Sequence, residues 1–234
     1  MNDFSQAIGL MFELLFSLET ELLGIIALSL KVSLLATLFA AVIGLPLGAF
    51  VAVYRFPGRA VLAALLNAFM GLPPVVVGLA VYLLLSRAGP LGELGLLFTP
   101  QAMVIAQCIL ITPIIAALTR QTVADLDQTC REQLSVLHTP HSAMVGALLW
   151  DGRFSLLTGV LAGFGRAVAE VGAVLIVGGN IKGVTRVMTT TIALETSKGN
   201  LALAMALGLV LLVITLSINF LVTGLQHAAV RRYG

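Results

Sequence analysis

The chain has 234 residues, of which 59% are hydrophobic and only 10% charged, with a mean hydropathy of +1.06. A soluble domain carries roughly 25% charged residues, so the composition excludes an ordinary soluble protein and points to an all-α integral membrane protein. A net charge of +2, with no cluster of Lys and Arg, excludes a nucleic-acid partner.

The amino terminus has no basic n-region, since the first basic residue is Lys31 and Asp3, Glu13, Glu19 and Glu21 precede it. Nothing reads as a cleaved signal. Phe4–Leu18 is apolar but short and interrupted, which suits a helix lying at the membrane interface. Residues 1–23 are therefore expected to be an extracytoplasmic, interfacial segment.

Five spans follow in a transmembrane domain over residues 24–225, each near or beyond the 20 or so apolar residues that cross the hydrocarbon, the first long enough to tilt or project from it. They cover about 24–54, 60–85, 101–118, 156–177 and 201–225. The count becomes six if the second is split at Gly71-Leu-Pro-Pro74, where two prolines remove backbone donors. The third is expected to kink at Thr112-Pro113. Small residues in the first span include Gly44 and Gly48, a GxxxG pair that lets another helix approach closely. In the fourth, Gly159, Gly163, Arg166, Glu170 and Ala173 fall on one face of a continuous helix.

Seven Lys and Arg (Arg55, Arg59, Arg120, Arg131, Arg153, Arg231 and Arg232) lie on one side of the spans and four (Arg87, Lys182, Arg186 and Lys198) on the other. The richer side is read as cytoplasmic. That puts 120–155 and the tail 226–234 in the cytosol, and 178–200 outside. Cys108 and Cys130 sit in no metal-ligand or CxxC spacing and are read as free thiols; no metal site is expected.

Arg166 and Glu170 are charges inside a span, where each is costly unless paired or wet. One reading is an intramembrane ion pair. The other is that one of them faces a charged solute, coordinating it or setting a gate. No Walker, HExxH or GxSxG motif is present, so no catalytic residue and no cofactor are assigned to this chain. Work against a gradient then needs an ion gradient or another subunit.

The polar stretch decides between these. Arg131-Glu-Gln-Leu-Ser-Val-Leu-His138, followed by Phe164-Gly-Arg-Ala-Val-Ala-Glu-Val-Gly-Ala173, resembles the EAA loop and next helix of ABC importer permeases of the molybdate/tungstate type. The resemblance continues upstream through Tyr54-Arg-Phe-Pro-Gly-Arg59 and Leu72-Pro-Pro-Val-Val-Val-Gly78. Downstream, Val177-Gly-Gly-Asn-Ile181 and Thr185–Gly199 look most like the tungstate permeases. Glu132 stands at the acidic position of the pattern, while Gln133 and Leu134 replace its alanines, His138 replaces its glycine, and Trp150-Asp151 replaces a common Leu-Pro.

The resemblance implies an ABC importer permease fold in a prokaryotic cell membrane. It also implies a short coupling helix within Glu132–Leu148 that docks on a cytosolic ATPase subunit, through Glu132, Leu134, Leu137 and His138. Apolar contacts there are expected from Met144, Val145 and Leu148 as well. ATP and Mg would belong to that ATPase, the solute would be an oxyanion brought by an extracytoplasmic binding protein, and two copies would pair in the lipid through the Gly-rich faces of the first and fourth spans. Asn180, Arg186, Thr189 and Thr190 are candidates for the pathway or an outer gate. The alternative for that segment is a solvated loop carrying a helix at Val184–Leu194. Tungstate leads as solute, with molybdate or sulfate as alternatives and an ion-gradient-driven carrier or channel as the rival of another class.

Overall fold

A computed structural model describes the backbone of residues 2–17, 20–136 and 141–233, and the side chains of these apart from 2–5, 14–17, 129–136, 141–142, 229–230 and 232–233. Among the described residues the regular structure is helical, with no strand. The helices are α1 (Asn2–Ser17), α2 (Thr20–Val53), α3 (Arg59–Phe69), α4 (Pro74–Leu85), α5 (Pro100–Val136), α6 (His141–Asp151), α7 (Arg153–Val168), α8 (Gly172–Gly178), α9 (Met188–Ser197) and α10 (Leu201–Tyr233).

Three of these, α2, α5 and α10, are long and apolar enough to cross a membrane by themselves, and the count reaches five if α3–α4 and α6–α7 each make one span. The expected break at Gly71-Leu-Pro-Pro74 is present, with α3 ending at Phe69 and α4 starting on Pro74. Proline suits that first helical position because its missing N–H is one the helix leaves unbonded anyway. Helix α5 continues through Pro113, and the Thr112 hydroxyl donates to the Cys108 carbonyl at 2.7 Å. The expected cytosolic loop after Arg120 is itself largely helix, as α5 runs on to Val136 and α6 begins at His141.

The chain forms two compact units. The first comprises Met1–Leu35, Pro74–Gln107 and Val168–Gly234. Within it α1 and α9 pack on α10, and α4 packs on α8. Leu22, Met188, Leu207 and Val210 are buried together, with Met11 of α1 packed against them. Gly78 makes the α4–α8 approach possible, because a Cβ there would lie 2.7 Å from the Ala173 Cα.

The second unit comprises Ala36–Pro73 and Cys108–Ala167. Ala49, Ala52, Val53, Val123, Leu148 and Leu156 form one buried cluster. The GxxxG face of α2 is used here: a Cβ on Gly48 would lie 2.3 Å from the Ala116 carbonyl oxygen, and one on Gly44 3.1 Å from the Ile115 Cβ. On α7, a Cβ at Gly163 would lie 2.9 Å from the same Ile115 side chain. The small-residue faces expected to meet a second copy are thus internal, closing α2 and α7 onto α5. The end of α2 is held by Arg59, whose Nε and Nη2 donate to the carbonyls of Val51 and Ala52 at 2.8 and 2.7 Å. A cation on these unbonded carbonyls also opposes the negative end of the helix dipole.

Candidate functional site: the segment 168–200 and the corner between α6 and α7

The fourth span is not one helix. It stops at Val168 and restarts at Gly172, so the four-residue step from Arg166 to Glu170 is not a helical turn, and the single face from Gly159 to Ala173 does not exist. At the break the Glu170 carboxylate, with the residue only 3% exposed, accepts the Ala173 N–H at 3.1 Å. A side-chain acceptor at the start of a helix satisfies one of its unbonded donors, which favours restarting α8 here. Thr189 fixes the break from outside by donating its hydroxyl to the Glu170 carbonyl at 2.9 Å. Arg166 is half-buried near the end of α7.

Helix α8 ends in two consecutive left-handed residues, Gly179 (φ 70) and Asn180 (φ 50). A Cβ at Gly179 would strike the Phe98 ring at 2.8 Å, so glycine is required both by conformation and by space. The Thr185 hydroxyl then ties the turn together, donating to the Gly178 carbonyl at 2.5 Å and accepting the Ile181 N–H at 3.0 Å. The N–H groups of Val184, Thr185 and Arg186 all reach the Ile181 carbonyl. That turn displaces the expected helix, which begins at Met188 instead of Val184.

The threonine run caps α9. Thr190, fully buried, accepts the Val187 N–H at 3.1 Å and donates to the Val187 carbonyl, which also accepts the Thr191 hydroxyl at 2.8 Å. The Met188 N–H goes to the Ser29 hydroxyl of α2 at 2.8 Å. In this conformation Thr189 and Thr190 present no hydroxyl to a solute. Asn180 and Arg186 differ: both are half-buried, and Asn180 Oδ1 and Arg186 Nε are buried with no hydrogen-bond partner among the described residues. At the far end of α9, Glu195 accepts from Asn200 Nδ2 at 2.8 Å and Lys198 Nζ at 2.7 Å. The hydrogen bond from Asn200, then that from Lys198, holds its carboxyl below the ordinary value of 4.5.

The second feature is the corner where Ala143–Asp151 meets Arg153–Val168 at 77°. A helix at that angle does not continue the direction of α7. Leu148 is 1% exposed inside its own cluster and faces α2 and α5, with Met144 and Val145 half-buried against it. What α6 exposes instead is Ala143, Gly146, Ala147 and Trp150, with Trp150 69% exposed. Their spacing of three, four and seven residues makes one stripe, smooth except for the indole at its end. Arg153 holds that indole: its Nη1 donates to the Trp150 carbonyl at 2.8 Å, and its Cζ lies 4.9 Å from the Trp150 ring and 4.6 Å from that of Phe154.

Sequence reasoning does not single out this stripe, because it favours the apolar Met144, Val145 and Leu148, of which the fold buries Leu148 fully. The departure at Trp150-Asp151 was the available signal. Of the other expected coupling residues, Glu132 and Leu134 lie in the last turns of α5 with side chains outside those described, and Leu137 and His138 lie outside the described residues.

Comparison with known proteins agrees with the helical architecture. The chain is 40% identical over 207 residues to a probable anion ABC transporter permease protein of Haloferax volcanii, covering 86% of this chain and 89% of that one. It is 41% identical over 215 residues to the tungstate uptake system permease protein TupB of Peptoclostridium acidaminophilum, covering 92% and 94%. Among solved structures, an inward-facing MetNI methionine ABC transporter matches 86% of this chain and 92% of that chain with a TM-score of 0.69 at 19% identity, a likeness of fold. Residues 44–234 match the family model described as the binding-protein-dependent transport system inner membrane component, and the chain belongs to that family.

Proposed function

We propose that this chain is the permease subunit through which an ATP-driven importer passes tungstate. As a multi-pass inner membrane component of a transport system it is not an enzyme, and its family works with ATPase and binding-protein partners. The observation that carries the solute is the 41% identity to a tungstate uptake permease over nearly the full length of both chains.

In this reading ATP and Mg sit on a separate ATPase subunit, which docks on the exposed stripe of α6 together with Glu132, Leu134, Leu137 and His138. An extracytoplasmic oxyanion-binding protein delivers the solute to the side carrying residues 178–200. Two copies of the chain enclose the pathway, in contact through faces other than the Gly44/Gly48 and Gly163 surfaces. Arg166 is the pathway or gate residue of its pair, Glu170 its framework. Asn180 and Arg186 supply polar groups on the outer side, in a segment whose shape Thr189 and Thr190 maintain.

The test is uptake of labelled tungstate by cells that express the chain with its ATPase and binding protein and lack other tungstate uptake. Uptake is expected to need ATP hydrolysis and to resist a tenfold excess of sulfate or molybdate. Equal competition by either anion would replace tungstate with that anion, and uptake driven by an ion gradient without ATP would assign the chain to a carrier.

A further inference from the structure

A groove of about 370 Å³ opens between the first turns of α2 and the turn that leads into α9, lined by Thr20, Glu21 and Gly24 on one wall and by Lys182, Gly183 and Arg186 on the other. The Lys182 and Glu21 side chains that line it are charged and mostly exposed, so the groove opens to water and suits a soluble ligand.

Two cations and one carboxylate line it. Lys182 Nζ lies 2.8 Å from Glu21, with the two side chains 66% and 55% exposed. An exposed pair of this kind is weak and exchanges partners readily. Arg186 is held more firmly, half-buried, yet its hydrogen bonding is poor. Nη2 reaches the Asn180 carbonyl only at 3.5 Å, and Nε has no hydrogen-bond partner among the described residues. Glu195 feels the Arg186 charge, but its oxygens are taken by Lys198 and Asn200. A Cβ at either Gly24 or Gly183 would meet nothing within 4 Å, so both glycines border open space.

We propose that this groove is an outer reception site for a doubly charged tetrahedral oxyanion, with Arg186 as fixed donor, Lys182 as exchangeable donor and Glu21 as a filter on charge. The filter works by competition. A dianion at the same distance attracts Lys182 twice as strongly as the Glu21 carboxylate does and displaces it, the freed Glu21, 55% exposed, turning away into water where its repulsion of the anion is screened. A monoanion gains only what it displaces, and chloride stays out. The proposal rests on the oxyanion reading above and gives that solute a contact on this chain before the membrane.

The full chain, purified in detergent, would be melted against sodium tungstate, sodium sulfate and sodium chloride at constant ionic strength. Tungstate is expected to raise the melting temperature saturably and chloride to have no such effect. Arg186→Gln should raise the half-saturating tungstate concentration about tenfold, as loss of a charge-assisted donor does. Gly24→Phe, which fills the groove from a position with room for a side chain, should abolish the shift. Glu21→Gln should let chloride produce it. A tungstate shift unchanged in both Arg186→Gln and Gly24→Phe, an equal chloride shift in the wild type, or no shift with any dianion overturns the site. A shift with sulfate but not tungstate, lost in the same variants, keeps the site and refutes the solute proposed above.

Discussion

The segment 178–200 and the corner between α6 and α7 are both breaks between apolar runs, but they dispose of their side chains in opposite ways. In 178–200 the polar residues turn inward: Thr185, Thr189, Thr190 and Thr191 all bond backbone groups, and Glu195 holds the next turn. At the corner the apolar Leu148 turns inward, while Ala143, Gly146, Ala147 and Trp150 remain outside. Polarity therefore does not decide which side chains stay exposed at a break here. Hydroxyls give one segment its shape, and small residues give the other a face that a second surface can approach closely.

The largest effects should come from the glycines that allow the helices to touch. Gly48→Val would drive a side chain into the Ala116 carbonyl and the Thr119 Cβ, 2.3 and 2.7 Å from an ideal Cβ. Backbone has to move, so a loss of about 3 kcal/mol, the upper end for overpacking, is expected. Gly24→Ala, in open space, should stay within about 0.5 kcal/mol. Thermal unfolding of the two purified variants checks the contrast. Equal melting temperatures would mean that the α2–α5 contact is not made as described.

Glu170 tests whether the break at 169–171 belongs to the framework. Glu170→Ala removes a buried acceptor from the Ala173 N–H and should cost about 1–3 kcal/mol. Glu170→Gln keeps an acceptor oxygen and should restore folding and transport. A Gln variant that assembles fully but carries no tungstate would move Glu170 from the framework to the pathway.

Trp150→Ala sharpens the other side of the comparison. The indole is 69% exposed, so stability should change by no more than about 0.5 kcal/mol. If α6 docks the ATPase, removing a large aromatic anchor should cost about 2 kcal/mol of that affinity, roughly thirtyfold. Ala147→Glu should weaken docking by placing a charge in the middle of the stripe. Undiminished co-purification of the ATPase with both variants would exclude this face.

Much of this was legible in the sequence. The long apolar runs gave α2, α5 and α10, and Pro73-Pro74 gave the break after α3, because hydrophobic length and a missing donor act locally. The break at Glu170 was not legible. Ala-Val-Ala-Glu-Val is acceptable helical sequence, and the break is accompanied by contacts from distant residues, the packing of Gly78 on Ala173 and the Thr189 bond to the Glu170 carbonyl. The GxxxG pair marks a contact surface, but its contact is α5 of the same chain and not a second copy, since glycine spacing reports close approach and not which helix approaches. Residue type alone makes Thr189 and Thr190 candidates for a pathway, but a threonine beside a helix start has backbone groups in reach that compete for its hydroxyl.

The smallest expected effect is a pH dependence confined to the end of α9. Glu195 is folded with its carboxyl held below 4.5 by Asn200 first and Lys198 second. A depressed carboxylate contributes stability that is fully present above its unfolded pKa and lost as pH falls through the folded one, so the contribution should be constant at neutral pH and fade only below about 4.5. Glu195→Gln keeps an acceptor for Asn200 but loses the ion pair, and should cost about 1 kcal/mol at pH 7. Its deficit against the wild type should shrink between pH 4.5 and pH 3, because acid neutralises the wild-type carboxyl as well. Thermal unfolding of both proteins across that range reads this directly, and a deficit that stays constant down to pH 3 would mean that the charge on Glu195 contributes nothing to holding α9 against α10.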